Sequence, residues 1–276
     1  MIVCFGSLNQ DLAVRVGRLP GPDETVLATG DATFRGGKGH NQALAAARLD
    51  APVAMIGRVG DDDAGPWLRD GLATAGVDVS RLATVPGRTG TALCLLDDGG
   101  QVSIVVLPGA NAALDVAAAE AAAELLGRAD VLLLQGEVDA AASVRAAELA
   151  YGARIVVNPA PAPNDATSLL GCADVVVVNR PEAAALGLAA SDSVVMTLGS
   201  GGVAVAGESI PAFPATEIDP TGAGDAFVAA LAVALHEGAD LVEAARFGAA
   251  AGACAVEVAG AEPSLPTRAA VEARLA

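Results

Sequence analysis

Asp219-Pro220-Thr221-Gly222-Ala223-Gly224-Asp225-Ala226-Phe227 is the stretch whose residue types and spacing come nearest to chemistry. A Pro and two Gly make a turn that opens into an apolar run, Ala226 to Leu235, that reads as a helix. The first turn of a helix offers free backbone N–H groups and the positive end of the macrodipole. Gly222, Ala223 and Gly224 carry no bulk that would keep an anion from those groups, and Asp225 puts a carboxylate at the helix start. An anion cradle beside a base is the least equipment that moves a phosphoryl group onto a hydroxyl. The plainer alternative is that Asp225 only caps the helix, and this stretch alone leaves both readings open.

A second Gly-rich turn, Arg35-Gly36-Gly37-Lys38-Gly39-His40-Asn41-Gln42-Ala43, leads into an Ala-rich helix that runs to about Leu49. It is not a P-loop, which needs Gly six residues before the Lys and Ser or Thr after it; Ala32 and Gly39 stand there. Gly36 and Gly37 can still admit a ligand closely, with Lys38 and Asn41 as donors. Asn9 and Asp11 follow the strand Ile2 to Phe5. Ligands of open α/β sheets bind beyond the carboxyl ends of strands, so these two are placed to hold hydroxyls. An ordinary polar turn is the alternative for the pair taken alone.

The elements that must position these residues read as an α/β chain. Pro52 to Val59 is a strand and Pro66 to Ala75 a helix. Thr89 to Leu96 and Gln101 to Leu107 are β runs joined by Asp97-Asp98-Gly99-Gly100, a strong hairpin signal. With β-rich pieces between Arg15 and Phe34, they predict a small sheet projecting from the body. A regular rhythm follows: helix Ala117 to Leu126, strand Val131 to Gln135, helix Ala140 to Tyr151, then strands Arg154 to Val157, Val175 to Val178 and Val194 to Leu198. Apolar strands alternating with helices predict a parallel sheet covered on both faces. Each of these strands ends in polar or Gly residues, and a row of such ends is site-like.

Bulk properties narrow the partners. The chain has 276 residues, 53% hydrophobic and only 18% charged, enough for a large core. A formal net charge of −17 argues against nucleic acid or an anionic membrane as partner. Cys4, Cys94, Cys172 and Cys254 lack metal-ligand or redox spacing and read as reduced thiols, which suits a cytoplasmic protein. No basic leader and no charge-free apolar run of about 18 residues is evident, so neither a signal peptide nor a membrane span is expected. No repeat or low-complexity linker divides the chain, which reads as a single domain over 1–276 with a β lid from about 13–35 and 88–108.

These motifs, in order, resemble the PfkB family of sugar and nucleoside kinases, and within it the ribokinases. The resemblance is carried by Gly6-Ser7-Leu8-Asn9-Gln10-Asp11, the Gly36 to Ala43 turn and Gly109-Ala110-Asn111-Ala112-Ala113-Leu114. It continues through Asn158-Pro159-Ala160-Pro161-Ala162, Asn179-x-x-Glu182 and Thr197-Leu198-Gly199-Ser200. It closes on the Asp219 to Asp225 stretch and Gly260-Ala261-Glu262-Pro263-Ser264. The resemblance implies a ribokinase-like three-layer α/β sandwich with a mostly parallel central sheet and a small β-sheet lid. It implies ATP-dependent phosphorylation of a sugar's primary hydroxyl, with D-ribose the expected acceptor. A nucleoside or other sugar kinase of the same family is the alternative, and a non-catalytic sugar-binding paralogue a remoter one.

By the same resemblance Asp225 would be the general base, and Gly222, Ala223 and Gly224 the anion hole. Asn9, Asp11, Gly37, Lys38, Gly39, Asn41 and Glu137 would line the sugar, together with Asp225. Asn179, Thr197, Leu198, Gly199, Ser200, Gly201 and Gly202 would lie along ATP, with Gly224. Glu182 would serve Mg²⁺; Asp219, Thr221, Ala255, Val258, Gly260 and Ser264 would surround K⁺. A homodimer clasped through the lids is implied as well. Three departures bear on this: His40 stands where ribokinases carry a small residue, and is expected to point outward from the helix start or else to narrow the sugar pocket. Residues 183–193 are too few for the helix ribokinases insert there. Ala249 replaces a polar residue on the adenine side.

Overall fold

The computed structural model describes residues 1–163 and 165–276. Its centre is a nine-stranded sheet. In chain order the strands are β1 (Ile2–Phe5), β4 (Val53–Gly60), β5 (Asp78–Val85), β8 (Val131–Gln135), β9 (Arg154–Asn158), β10 (Val175–Asn179), β11 (Val194–Thr197), β12 (Val203–Val205) and β13 (Glu208–Ile210). Their spatial order is β13-β12-β11-β10-β9-β8-β1-β4-β5. All neighbours from β11 to β5 pair in parallel, and β12 and β13 add an antiparallel edge. Strands such as Val-Leu-Leu-Leu-Gln of β8 are buried throughout, because helices cover both faces.

One face is covered by α1 (Lys38–Arg48), α2 (Ala64–Thr74), α8 (Ala223–His236), α9 (Leu241–Ala255) and α11 (Arg268–Leu275). The opposite face carries α3 (Val116–Ala121), α4 (Ala123–Leu126), α5 (Ala140–Leu149), α6 (Ala166–Gly171) and α7 (Arg180–Leu186). This is the expected three-layer sandwich. The core is aliphatic, and α8 is buried from Asp225 to Leu235. Only α7 lies between β10 and β11, as the short 183–193 segment predicts. Glycine at 187 ends α7 with a left-handed φ of 65°, a conformation that favours Gly.

The second sheet has the order β3-β2-β6-β7, from β2 (Asn9–Val16), β3 (Ala28–Gly36), β6 (Gly90–Asp97) and β7 (Val102–Leu107). The Asp97–Gly100 hairpin joins β6 to β7 as expected, but β2 pairs with β6 in parallel. This sheet begins at Asn9, earlier than the boundary near 13 read from the sequence. Asn9 and Asp11 therefore sit on a strand of the small sheet, not in a turn beyond β1.

Candidate active site

The end of β1, the start of β2, the β3–α1 turn, the end of β8 and the start of α8 meet where the two sheets join. Glycine makes that meeting possible. Gly37 has a φ of +88°, and a Cβ there would lie 2.8 Å from the Asn9 nitrogen. A Cβ on Gly36 would lie 2.0 Å from the Asp11 carboxylate. Lys38 to Arg48 can thus start helix α1 directly against the polar ends of β1 and β2.

Asp225 lies in the first turn of α8, only 7% exposed. The helix is capped by Gly222 in the left-handed region, φ 84°, and the Asp225 carboxylate makes no capping bond. Instead its Oδ2 accepts from Asn41 Nδ2 at 2.9 Å and its Oδ1 from Gln42 Nε2 at 3.0 Å. The Ala223 N–H donates to Pro220 O at 3.2 Å. The Gly224 and Asp225 N–H groups find no partner among the described residues, as the first turn of a helix allows. An anion at this helix start would meet those two groups, with Ala223 already engaged.

Lys38, Asp11 and Glu137 face the same space. Glu137 Oε2 accepts from the Lys38 N–H at 3.0 Å and from the Ser7 hydroxyl. Burial pushes the Asp11 carboxyl up to about 7, reinforced by the charges of Glu137 and Asp225 and relieved in part by Lys38. Its Oδ1 is buried and finds no hydrogen-bond partner among the described residues. A donor, such as a sugar hydroxyl, would satisfy it. Burial works to lower the Lys38 ammonium, but Asp225, Glu137, Glu182 and Asp11 outweigh it and hold it above its ordinary value. Asn9 is only 2% exposed, and its Oδ1 accepts from Asn111 Nδ2 at 2.8 Å. Asn111 also spans the Leu8 backbone, so Asn9 shapes the β1–β2 junction.

His40 does not point outward to solvent. It is fully buried, its Nδ1 lies 3.4 Å from Asn41 Oδ1, and its Nε2 has no partner among the described residues. Burial pushes its pKa down to about 4, so the ring is neutral at physiological pH.

Beyond Asp225 a cleft of about 500 Å³ opens along α8. Thr197, Gly199, Ser200 and Gly202 form one wall; Ala223, Gly224 and Phe227 form another. Ala249, Gly252 and Ala253 line it from α9 with Val256 just past its end, and Ala212 to Ala215 with Glu217 from the segment after β13. Leu198 and Gly201 belong to the same turn without lining the cleft, and Asn179 stands apart from it. The Asn179 side chain instead caps α7: its Oδ1 accepts from the Glu182 N–H while Glu182 Oε2 accepts from the Asn179 N–H, both at 2.9 Å. Such a reciprocal box fixes the helix start. It leaves Glu182 Oε1 outside the box, and the Glu182 charge is one of those that hold the Lys38 ammonium up.

The loops around Asp219 and Gly260 are tied together. Asp219 Oδ2 accepts from the Gly260 N–H at 2.8 Å and Oδ1 from the Thr221 N–H at 2.9 Å. Ser264 Oγ donates to Ala261 O at 2.8 Å and lies 3.3 Å from Thr221 O. Partial burial pushes the Asp219 carboxyl up, but these N–H donors hold it below its ordinary value. Ala255 closes α9 beside Val258 and carries a carbonyl at the same junction.

Sequence reasoning gave no site role to Gln42, Gln135 and Asn158, all buried, although Gln42 and Asn158 stand in the motifs that carry the resemblance. Gln135 and Asn158 end the otherwise apolar strands β8 and β9. A polar side chain closing a buried strand was the available signal. The Ala212–Glu217 wall of the cleft matches none of the motifs read from the sequence.

The pfkB family carbohydrate kinase description matches residues 1–268. The chain belongs to the pfkB family of carbohydrate kinases. Among its relatives, the ribokinase of Bacillus subtilis is 38% identical, over 98% of each chain. That of Haemophilus influenzae is 35% identical over 97% of this chain and 95% of its own. The crystal structure of Thermotoga maritima ribokinase superposes with a TM-score of 0.91 at 32% identity, covering 100% of this chain and 99% of that one. The Arabidopsis thaliana ribokinase complexed with ribose and ATP gives 0.87 at 32% identity, with 99% and 98% covered. As a carbohydrate kinase of this family the chain is a phosphotransferase with an alcohol oxygen as acceptor. The candidate site thus has two parts: the polar side chains gathered where the two sheets join, and the cleft that runs from Gly224 along α8.

Proposed function

We propose that this pfkB kinase transfers the terminal phosphoryl group of ATP to the primary 5-hydroxyl of D-ribose. One observation carries the reading: a buried carboxylate, held by two amides at a helix N-terminus, stands between a polar pocket and a nucleotide-sized cleft. Asp225 takes the proton from the attacking hydroxyl as the new O–P bond forms and ADP leaves. The α8 N–H groups at Gly224 and Asp225 meet the charge that develops on the transferring group, and Gly222 sets the turn that exposes them.

Asp11, Glu137, Lys38 and Asn41 bind the sugar hydroxyls, with Gly37 and Gly39 letting the backbone approach. Thr197 to Gly202 run along the nucleotide, and Ala249 makes the base side of the cleft apolar. Glu182 Oε1, which stays outside the capping box, fits a hard, water-rich Mg²⁺ that would neutralise phosphate charge. Asp219, with hydroxyl and carbonyl oxygens of Thr221, Ser264, Ala255, Val258 and Gly260, is an all-oxygen donor set that fits K⁺. It would fix the loop that leads into α8.

The small sheet serves as a lid and as the dimer contact. On the edge strand β7, Ile104 is 59% exposed and Val105 58%, and Val102, Val106 and Leu107 are exposed too. A long apolar edge invites pairing, and a second copy of the same face covers it in a two-fold homodimer. Four free cysteines suit the reducing cytoplasm.

An ADP-release assay with ribose, deoxyribose, fructose and nucleosides, with and without K⁺, tests the reading. Ribose is expected to be turned over fastest; a nucleoside turned over faster would overturn the ribose assignment. Sedimentation of Val105→Glu against wild type tests the lid dimer, and a variant that stays dimeric refutes it.

A further inference from the structure

Behind Asp225, away from the cleft, lies a row of buried amides to which the transfer step assigns no role. Gln42 and Gln135 are 0% and 1% exposed. Gln42 Nε2 donates to Asp225 Oδ1 at 3.0 Å, and Gln42 Oε1 accepts from Gln135 Nε2 at 2.9 Å. Gln135 Nε2 also approaches Cys4 Sγ at 3.5 Å.

Two acceptors set the polarity of this row: Asp225 Oδ1 and, at 3.4 Å from Gln42 Nε2, Asn158 Oδ1. An ionised carboxylate only accepts, so Gln42 must turn its NH₂ toward Asp225. Its oxygen then faces Gln135, which must answer with its own NH₂. The Gln135 oxygen is left over, buried and without a partner among the described residues. Flipping Gln135 would set oxygen against oxygen, so the orphan is what keeping the direction costs. The orphan is seated against Gly6, where a Cβ would come within 1.9 Å of Gln135 Oε1. A side chain at position 6 therefore displaces Gln135 and, through it, Gln42.

We propose that Gly6, Gln135 and Gln42 form a directional amide relay that orients the Asp225 carboxylate. All three are then positioning residues for phosphoryl transfer. The proposal rests on Asp225 being the base and adds what aims it.

The test measures kcat, the KM for ribose and the acid limb of the kcat–pH profile in Gln42→Leu, Gln42→Glu, Gly6→Ala and the double variant Gly6→Ala/Gln42→Leu. A hydrogen bond to a charged group is lost in Gln42→Leu, so kcat falls about tenfold or more. The KM for ribose stays within about twofold, the pattern of a group acting on the reacting atoms and not on substrate binding. Removing a donor to the carboxylate moves the acid limb of the kcat–pH profile upward, a change that a purely structural role would not produce. Gln42→Glu keeps the shape and sets a second carboxylate beside Asp225, moving the limb further the same way; it carries the test should the leucine variant fail to fold. Gly6→Ala lowers kcat in the wild-type background and adds little to Gln42→Leu, because both act through one chain of contacts.

A folded Gln42 variant with wild-type kcat and an unmoved acid limb overturns the relay, and so does full additivity in the double variant. Asp225→Asn separates the two levels. Near-native turnover there removes the base assignment itself; an inactive Asp225→Asn beside unshifted Gln42 variants removes the relay alone.

Discussion

Replacing Asp225 by Asn is the sharpest perturbation of this site. The two groups have the same shape, so the pocket keeps its volume. Two donors, Asn41 Nδ2 and Gln42 Nε2, now converge on the carboxylate. An amide offers one oxygen, so one donor is left facing an NH₂. Losing a hydrogen bond to a charged group costs about 1–3 kcal/mol of stability, a few degrees in Tm for a chain of this size. The rate falls much further. A positioned base contributes about 10²–10⁴-fold, or about 3–5 kcal/mol of barrier. A helix cap gives the opposite pattern, about 0.5–2 kcal/mol of stability and no rate effect. A thermal melt reads the stability, a coupled ADP-release assay reads the rate, and calorimetric titration with ribose checks that the sugar still binds. More than about a tenth of wild-type turnover in a folded Asp225→Asn protein would refute the base.

Three further outcomes follow from the geometry. Gly36→Ala drives a Cβ into the Asp11 carboxylate; the KM for ribose should rise about tenfold or more with a smaller change in kcat, and an unchanged KM would remove Asp11 from the sugar pocket. Burial first, then Glu137 and Asp225, raises the Asp11 carboxyl from 3.8 to about 7. The folded state then holds a proton that the unfolded chain has released, so the ligand-free protein loses stability as pH rises from about 4 to 7. Urea melts across that window should show the loss, flattened in Asp11→Asn, while ribose binding strengthens toward pH 8; parallel slopes for the two proteins would contradict the assignment. Asp219→Ala removes the carboxylate that joins the Thr221 and Gly260 loops. It should abolish any rise in turnover on exchanging Li⁺ for K⁺, and a retained response would place the cation elsewhere.

Much of the frame was legible because buried parallel strands are short, wholly apolar and punctuated. Val131–Gln135 of β8 reads directly, and so does the Asp97–Gly100 hairpin. The family comparisons bear out the three-layer fold expected from the motifs. The strand β5 went unread because Ser80 and Arg81 interrupt its apolar residues, and it lies at the sheet edge where burial no longer dictates composition. The short β12 and β13 were hidden by Gly207 between them. Asn179 and Glu182 were read for chemistry, yet their side chains close a capping box, a local role the Asn-x-x-Glu spacing already spelled out. His40 defeated the expectation of an outward-pointing ring: it is fully buried, with its neighbour Asn41 as its hydrogen-bond partner, and the spacing of a single turn does not reveal what packs over it. The amides behind Asp225 were missed because their meaning depends on partners about a hundred residues away.

That separation has a consequence for how the protein is made. Asp225 is bonded to a side chain 184 residues earlier. During synthesis β2, α1 and β8 all leave the ribosome before α8 does. Under the proposed roles, the unfinished chain would hold the polar residues of β2 and α1 without Asp225 or the α8 N–H groups, and so without the means to transfer phosphate. Helix α8 also packs on α1, and α9 after it packs on α8 to complete that face of the sheet. Under the proposed roles the chain from α8 onward both supplies the base and completes the core, so a chain that stops short of it would be at once inert and exposed to proteolysis.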